Sequence, residues 1–457
     1  MNKRRLLFFA MMGLGAVGMG QQTPPIQPKT VDTPKLSPLV TPPLPTGSQI
    51  IANSPLTAIE AARIAIAHQP QVAISKAAAD SLNGQRIQTQ ALLNPTVTVT
   101  AGATRVNQFV NGNAGTIGGP TSDYTSEIVL NQLLFDFDRT RDQVRQAQAL
   151  EQAGYRSYDQ TLQDVALQAK QDFYAYVQAQ QQSKVQEANV QSRQAQVDLT
   201  QAQVSAGTGE PQDLVNAKTL QAQGVLLWSQ ALQAEATAKT KLTTDMGIDP
   251  RTPIKVTESS ESNVTLPTDL NSLVDQGLKL RPTILSAMAS LRAAGYGVSV
   301  ARKTDAPSVG FQAGYDTVGP DQPFSNQTGF ISVTLNWSLI DGGVKLGKVR
   351  EAQANQSSAA ASLRQASLGV IQDVSNALIS VQAARQQIPV ANAEVTDAQE
   401  GVRIALGSYK AGVTTFQTVI TAQAALVQAQ TDQVNSTAAL NNALAALDHA
   451  IGKWPVS

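Results

Sequence analysis

Apolar residues between Asp138 and Ala206 recur every three to four positions, with Leu162, Val165, Ala166, Ala169, Phe173, Tyr176 and Val177 on one helical face. No proline interrupts this stretch. A second stripe follows at Val370, Val374, Leu378 and Val381. At 1.5 Å per residue, roughly 69 helical residues extend about 100 Å, far beyond an ordinary globular helix. Such an arm needs packing partners along its whole length. Each arm stops at a glycine, Gly207 or Gly412, suited to a left-handed cap. A second helix is expected to return from Pro211 or Thr415 to about Met246 or Ala450. Pro211 suits a first helical turn, whereas Pro389 lies inside the second arm and is expected to kink or break it.

Elsewhere the period is two. Ile331, Val333, Leu335, Trp337 and Leu339 alternate with Ser332, Thr334, Asn336 and Ser338. Val309, Phe311, Ala313 and Tyr315 alternate with Ser308, Gly310, Gln312 and Gly314, and Val97, Val99 and Ala101 with Thr96, Thr98 and Thr100. A less regular strand is expected over Thr125 to Phe135, and the stretches Asn107 to Asp123 and Asp316 to Thr328 read as turn-like loops. Taken alone, the alternation fits a soluble sandwich. Strands of about ten residues with small polar faces also fit a membrane barrel with a wet lumen. Four strands cannot close a barrel and lipid tolerates no open edge, so a spanning sheet has to be shared between chains.

The chain repeats itself. Pro70 and Pro95 have the same spacing as Pro282 and Pro307, about 25 residues, each pair bracketing a helix and opening a strand. Leu130-Asn131, Asp136, Val144-Arg145 and Ala147-Gln148-Ala149 recur as Leu335-Asn336, Asp341, Val349-Arg350 and Ala352-Gln353-Ala354. The same shift of about 205 residues carries Ala206-Gly207 onto Ala411-Gly412 and Ala217 onto Ala422, without a gap. Loops tolerate length changes cheaply, so an ungapped arm implies that both copies reach one height.

Composition narrows the chemistry. The 457 residues carry equal numbers of acidic and basic side chains and no cysteine, which argues against nucleic acid as a partner and excludes thiol nucleophiles and disulfides. Lys3, Arg4 and Arg5, an apolar run from Leu6 to Val17, and Gly18 and Gly20 read as a cleaved secretion signal over residues 1–20. A short N-terminal anchor is the alternative. Residues 21–53 are rich in proline and read as an extended tether. The two copies occupy 54–250 and 268–452, with a linker over 251–267 and a tail over 453–457.

Apparent catalytic motifs dissolve on inspection. Gly342, Gly347 and Lys348 imitate a phosphate loop, but Val349 stands where a hydroxyl is needed and the first copy lacks the glycines. Asp136 or Asp138, and Asp341, fall where strands become helices and suit capping. His68 and His449 are the only imidazoles and read as structural. No catalytic, cofactor or metal site is expected.

The turns Leu134-Phe135-Asp136 and Leu339-Ile340-Asp341-Gly342-Gly343, with the tips Ala206-Gly207 and Tyr409-Lys410-Ala411-Gly412-Val413-Thr414, resemble the two repeats of TolC-type outer-membrane efflux proteins. The resemblance covers about Leu56 to Gly452, in order and twice over. It implies an α+β membrane protein: a long helical periplasmic tunnel and a β-barrel shared between three protomers, four strands each, in the lipid of the outer membrane. It also implies a homotrimer whose tips meet a periplasmic adaptor (membrane fusion) protein and an inner-membrane transporter. Adaptor contact then falls on Gly207, Thr208, Gly209, Gly412, Val413 and Thr414. In that family, carboxylates past the second tip line a constriction; those positions are Thr418 and Thr421 here, a departure from the pattern. The first copy places Asp213 at the position equivalent to Thr418, and Gln212 matches Gln417, so a gate built on Asp213 is expected, with simple helix-dipole stabilisation as the alternative. The expected function is a passive exit duct for efflux or type I secretion. The competing classes are a periplasmic coiled-coil adaptor, which has one hairpin, and a fibrous scaffold, which leaves the strands unexplained.

Overall fold

Pro70 and Pro282 each open a helix at its first turn, where a missing N–H leaves no hydrogen bond unmade. The computed structural model describes residues 55–107, 110–112, 115–117, 120–257, 269–320 and 326–454, all within one unit that runs from Leu44 onward. The signal segment, the whole tether, part of the linker and most of the tail lie outside the described residues. Helix α1 (Ala58–His68) precedes α2 (Pro70–Ala91), and α5 (Leu270–Leu280) precedes α6 (Pro282–Arg302). The two short helices have clear start signals: a capping box between Thr57 and Glu60, and Asp269 accepting from the Asn271 and Ser272 N–H groups. Leu56 bridges in parallel to Val256, so the chain entering the first copy is hydrogen-bonded to the chain leaving it.

Six strands follow from the two periodic stretches: β1 (Thr96–Asn107), β2 (Val110–Gly112), β3 (Gly115–Ile117), β4 (Pro120–Phe135), β5 (Ser308–Pro320) and β6 (Asn326–Asn336). The main sheet is antiparallel in the order β1-β4-β5-β6, and β2 and β3 form a separate small hairpin. The expected loops are therefore largely strand. Asn107 to Asp123 contains the β2–β3 hairpin and the start of β4, and Asp316, Thr317 and Val318 pair with Thr328, Gln327 and Asn326. Pairing satisfies backbone groups that a loop would leave to solvent, and this outweighs the turn-like composition. Register aligns Val97, Leu130, Ala313 and Ile331 on one face and Thr96, Asn131, Gln312 and Ser332 on the other. On the apolar face Ile331 is 78% exposed, Val333 64% and Val99 68%. Among the described residues nothing covers that face, and β1 and β6 each keep one edge unpaired.

The arms match in length. Helices α3 (Arg139–Ser205) and α7 (Val344–Lys410) have 67 residues each, and α4 (Pro211–Asp245) and α8 (Phe416–Ala450) have 35 each. Of the expected kink or break at Pro389, the break does not occur: helix α7 runs through that residue. Proline removes one backbone bond at a local cost of about 3 kcal/mol, whereas buried Val381, Ala384, Ala391 and Val395 hold the helix on both sides of it. Tertiary packing wins over local propensity.

Each copy has its own core. One gathers Leu273, Ile284, Val370, Val374, Leu378, Val381 and Leu447 from α5, α6, α7 and α8. The other gathers Ala61, Ala65, Phe173, Tyr176, Leu242, Met246 and Ile248 from α1, α3, α4 and the turn after it. The abundant buried alanines let helices approach closely, as long parallel arms require. Helix α6 is long and apolar enough to cross a membrane by composition, yet it lies along α3 and α7 as part of the helical body.

Strand hands over to helix by the same turn in both copies. Asp136 accepts from the Thr140 N–H at 2.8 Å and Asp341 from the Lys345 N–H at 2.6 Å, so Asp136 rather than Asp138 is the cap of the first copy. Two left-handed residues precede each helix: Gly342 and Gly343 in the second copy, Phe137 (φ 56) and Asp138 (φ 60) in the first. A non-glycine in that region costs about 1–2 kcal/mol, and the first copy accepts the strain twice to keep the geometry of its twin.

Candidate channel tips and gate

Both arms end in one kind of cap. Gly207 (φ 71) and Gly412 (φ 70) take the left-handed conformation. The Thr208 N–H reaches the Gln203 carbonyl at 2.9 Å, and the Val413 N–H reaches Ser408 at 2.9 Å, while the glycine N–H groups bond Val204 and Tyr409. Space is open around both glycines, so the backbone angle alone demands glycine there. Gly209 differs, because a side chain on it would meet the Gln203 Cβ at 2.8 Å. Thr208 is exposed, Thr414 half-buried, and Val413 is 79% exposed, an apolar knob at the end of the second hairpin.

Beside the tips the two hairpins are packed together. Ala217 of α4, Ala405 of α7 and Phe416 and Val419 of α8 form a small buried cluster, and the Tyr409 and Phe416 rings lie 5.5 Å apart. At its rim the Tyr409 hydroxyl donates to Asp213 Oδ2 at 3.1 Å. Burial and then the hydrogen bond to Asp213 push the Tyr409 phenol up to about 12. Asp213 is half-buried in the first turn of α4, so it complements the helix dipole and fastens one hairpin to the other. Gln212 is exposed and donates to Asn216. Gln417, Thr418 and Thr421 are exposed on the first turns of α8: Thr414 donates to the Thr418 hydroxyl at 2.9 Å, and Thr421 donates to the Gln417 carbonyl at 3.0 Å. The five candidate gate residues thus lie at one end of the helical arms, but only Asp213 reaches across to the other hairpin.

The tip motif assigns Tyr409 no role. Its partner is 196 residues away. The available signal was an asymmetry between copies: Val204 stands where the second copy has Tyr409, and Thr418 where the first has Asp213. One such link can form per protomer.

A carboxylate pair joins the middle of α3 to the C-terminal end of α4. Lys241 bonds Asp172 and lies 4.0 Å from Asp245, and Gln168 donates to both Asp172 oxygens at 3.1 Å. The hydrogen bond to Asp172, with burial and its charge, pushes Asp245 up to about 6. Burial would raise Asp172 as well, but its bonds from Asp245, Lys241 and Gln168 hold it low. Between the copies, His449 of α8 lies 2.8 Å from Asp164 of α3, a structural contact.

At the opposite end, register places Asp123, Glu127 and Asp316 on the polar face of the sheet, with Glu127 directly facing Asp316. Among the described strand residues Arg105 is the one base, and it falls on the other face.

This plan can be placed among known proteins. The family model described as outer membrane efflux protein matches residues 61–247 and 273–453, most of both copies. The chain belongs to the outer membrane efflux protein family. It is 26% identical over 293 residues to the outer membrane efflux protein BepC of Brucella suis, the match spanning 63% of this chain and 62% of BepC. It is 26% identical over 337 residues to protein CyaE of Bordetella pertussis, covering 72% of this chain and 70% of the relative. Among solved structures, the CmeC outer membrane channel of Campylobacter jejuni superposes with a TM-score of 0.77 at 17% identity, covering 88% of this chain and 89% of that one. The fold is therefore that of this family: a helical tunnel continuing into a barrel to which each of three protomers gives four strands. Its place is the outer membrane, with a large periplasmic portion.

Proposed function

We propose that this outer membrane efflux protein forms the passive exit duct of a tripartite efflux pump or a type I secretion system. The observation that carries the reading is the union of two pairs of equal arms with a four-stranded sheet that is apolar outside, polar inside and open at both edges. Three such sheets close into one barrel, and the arms below them continue the conduit. Energy comes from partners: a periplasmic adaptor at the tips and an inner-membrane transporter beyond it. Single-channel recording of the purified trimer in planar bilayers tests the duct. Steady ohmic openings support it, and a protein that extracts as a monomer without conductance defeats it.

The adaptor meets the tips at Gly207, Thr208, Gly209, Gly412, Val413 and Thr414, and the gate involves Gln212, Asp213, Gln417, Thr418 and Thr421. The caps explain why a glycine stands at each reversal, and Val413 supplies an exposed apolar contact. Gly412→Val introduces a β-branched residue at positive φ, costing about 1–2 kcal/mol at an exposed tip far from the barrel. The variant is expected to reach the membrane as a trimer and fail to support export. Normal export by it would remove the tips from the adaptor interface.

A further inference from the structure

We propose that Gly314 sets the free width of the exit barrel by giving the Phe330 ring a resting place against the wall. The inference rests on the duct reading, in which the polar face of the sheet lines the lumen. Gly314 of β5 and Phe330 of β6 are direct cross-strand partners, and by register both belong to the face of Thr96, Asn131 and Gln312. A Cβ placed on Gly314 would stand 2.6 Å from both Cε1 and Cζ of Phe330 and 3.1 Å from the Ile128 carbonyl oxygen. The ring therefore occupies the side-chain space of residue 314 and lies across the β5 backbone. Strand side chains ordinarily stand away from the sheet, so this ring is laid down rather than upright.

Conformation does not explain the glycine. Gly314 is not among the residues of positive φ, whereas Gly342 and Gly343 are. Nor is every glycine of the strand crowded, since nothing lies within 4 Å of a Cβ on Gly310. Space for the ring is the remaining reason, and an aromatic covering a glycine restores packing that the glycine gives up. The neighbouring pair repeats the arrangement on the opposite face with the strands exchanged. There Tyr315 of β5 faces Gly329 of β6, its Cδ2 3.8 Å from the missing Cβ, and its hydroxyl donates to Gln327.

Barrel arithmetic makes the ring's posture matter. Eight strands enclose a lumen that side chains fill, and sixteen leave an aqueous channel. Four strands from each of three protomers fall between these limits. Three phenylalanine rings turned inward would narrow such a lumen and line it with apolar surface that water wets poorly.

The test compares wild type, Gly314→Val, Phe330→Ala and the double variant as trimers in planar bilayers, with polyethylene glycols of graded size as probes. Gly314→Val is expected to lower conductance about twofold and to exclude smaller polymers, because valine evicts the ring into the lumen. Phe330→Ala alone is expected to match wild type within experimental scatter, and the double variant to recover most of the loss. Gly314→Ala, a smaller intrusion, gives a lesser fall and serves if the valine variant fails to assemble. Unchanged conductance in both Gly314 variants overturns the proposal. So does a rise in Phe330→Ala, which would mean that the ring already stands in the lumen. A wild-type trimer with no pore defeats the duct reading and the proposal with it.

Discussion

One hydroxyl and one carboxylate decide how firmly the two hairpin tips of a protomer hold together. The Tyr409 to Asp213 bond stands at the edge of a small apolar cluster and has no counterpart in the other copy. A bond from a phenol to a half-buried carboxylate is worth about 1–3 kcal/mol, enough to bias a two-state tip. Tyr409→Phe is expected to increase the open fraction of the channel without loss of trimer, read as more frequent large openings in bilayers. Asp213→Asn keeps an acceptor for the phenol and removes the charge, so it separates tethering from electrostatics. If three Asp213 side chains border the pore, it lowers cation selectivity and weakens block by multivalent cations. Unchanged selectivity with altered opening would leave Asp213 as a tether alone.

The carboxyl pair at the other end of that hairpin responds to acidity. Asp245 has a folded value of about 6, above its unfolded one, so its contribution is present at low pH and lost as pH rises through 6. Asp172 is held low, so its contribution appears above the ordinary carboxylate range and is lost as pH falls through it. The junction of α3 and α4 is therefore firmest at about pH 4 and loosens as pH rises to about 6. Amide exchange around Leu242 to Asp245 is expected to quicken from pH 5 to pH 7.5 beyond its intrinsic chemical rate. Asp245→Asn, whose amide donates to Asp172 at every pH, should flatten that dependence. An unflattened profile would show that the pair does not govern the junction.

Among the elements, equal arm length is the property most exposed to change. Helices of 67 and 35 residues in both copies hold two tips level, so that Asp213 and Tyr409 can meet. Removing seven residues, nearly two turns, shortens an arm by about 10 Å while roughly preserving its apolar face. Deleting a heptad from α3 and its level counterpart from α4 alone should misalign the tips and abolish export. Matching deletions in α7 and α8 should restore at least part of it. Equal export from the one-sided deletion would show that the tips act independently. The arms were legible in the sequence because burial along a helix leaves a 3.6-residue record, and the strands because alternate faces see lipid and lumen. What failed was local punctuation. Pro389 reads as a kink or break, yet packing on either side carries the helix through it, and the Asn/Gly-rich stretches read as loops, yet strand pairing claims much of them. The short α1 and α5 helices leave no clear period in the sequence, because 11 residues hold too few turns. The Asp213 to Tyr409 link left no local trace, since neither residue is unusual for its own helix.

For the assembled channel, the sheet fixes where charge lies. Glu127 facing Asp316, with Asp123 farther along the same face, gives nine carboxylates in the lumen, three from each of three protomers. Like charges directly opposed on a sheet are destabilising, and they attract counter-cations. The positions Thr418 and Thr421, where the resembling family carries acids, are neutral here, so beside Asp213 the acids of the exit barrel are expected to bias ion passage. Glu127→Gln with Asp316→Asn should lower the cation-to-anion permeability ratio and stabilise the trimer against heat. An unchanged reversal potential in a salt gradient would place selectivity elsewhere.

The free edges of β1 and β6 also constrain how the channel is born. A newly exported protomer carries two rows of unanswered backbone N–H and C=O groups, which lipid does not tolerate, and an oily face, which water disfavours. Membrane entry and ring closure therefore have to be one event, reached by collision of three copies. Biogenesis then depends steeply on how many protomers wait in the periplasm, and scarce synthesis would yield disproportionately few finished channels.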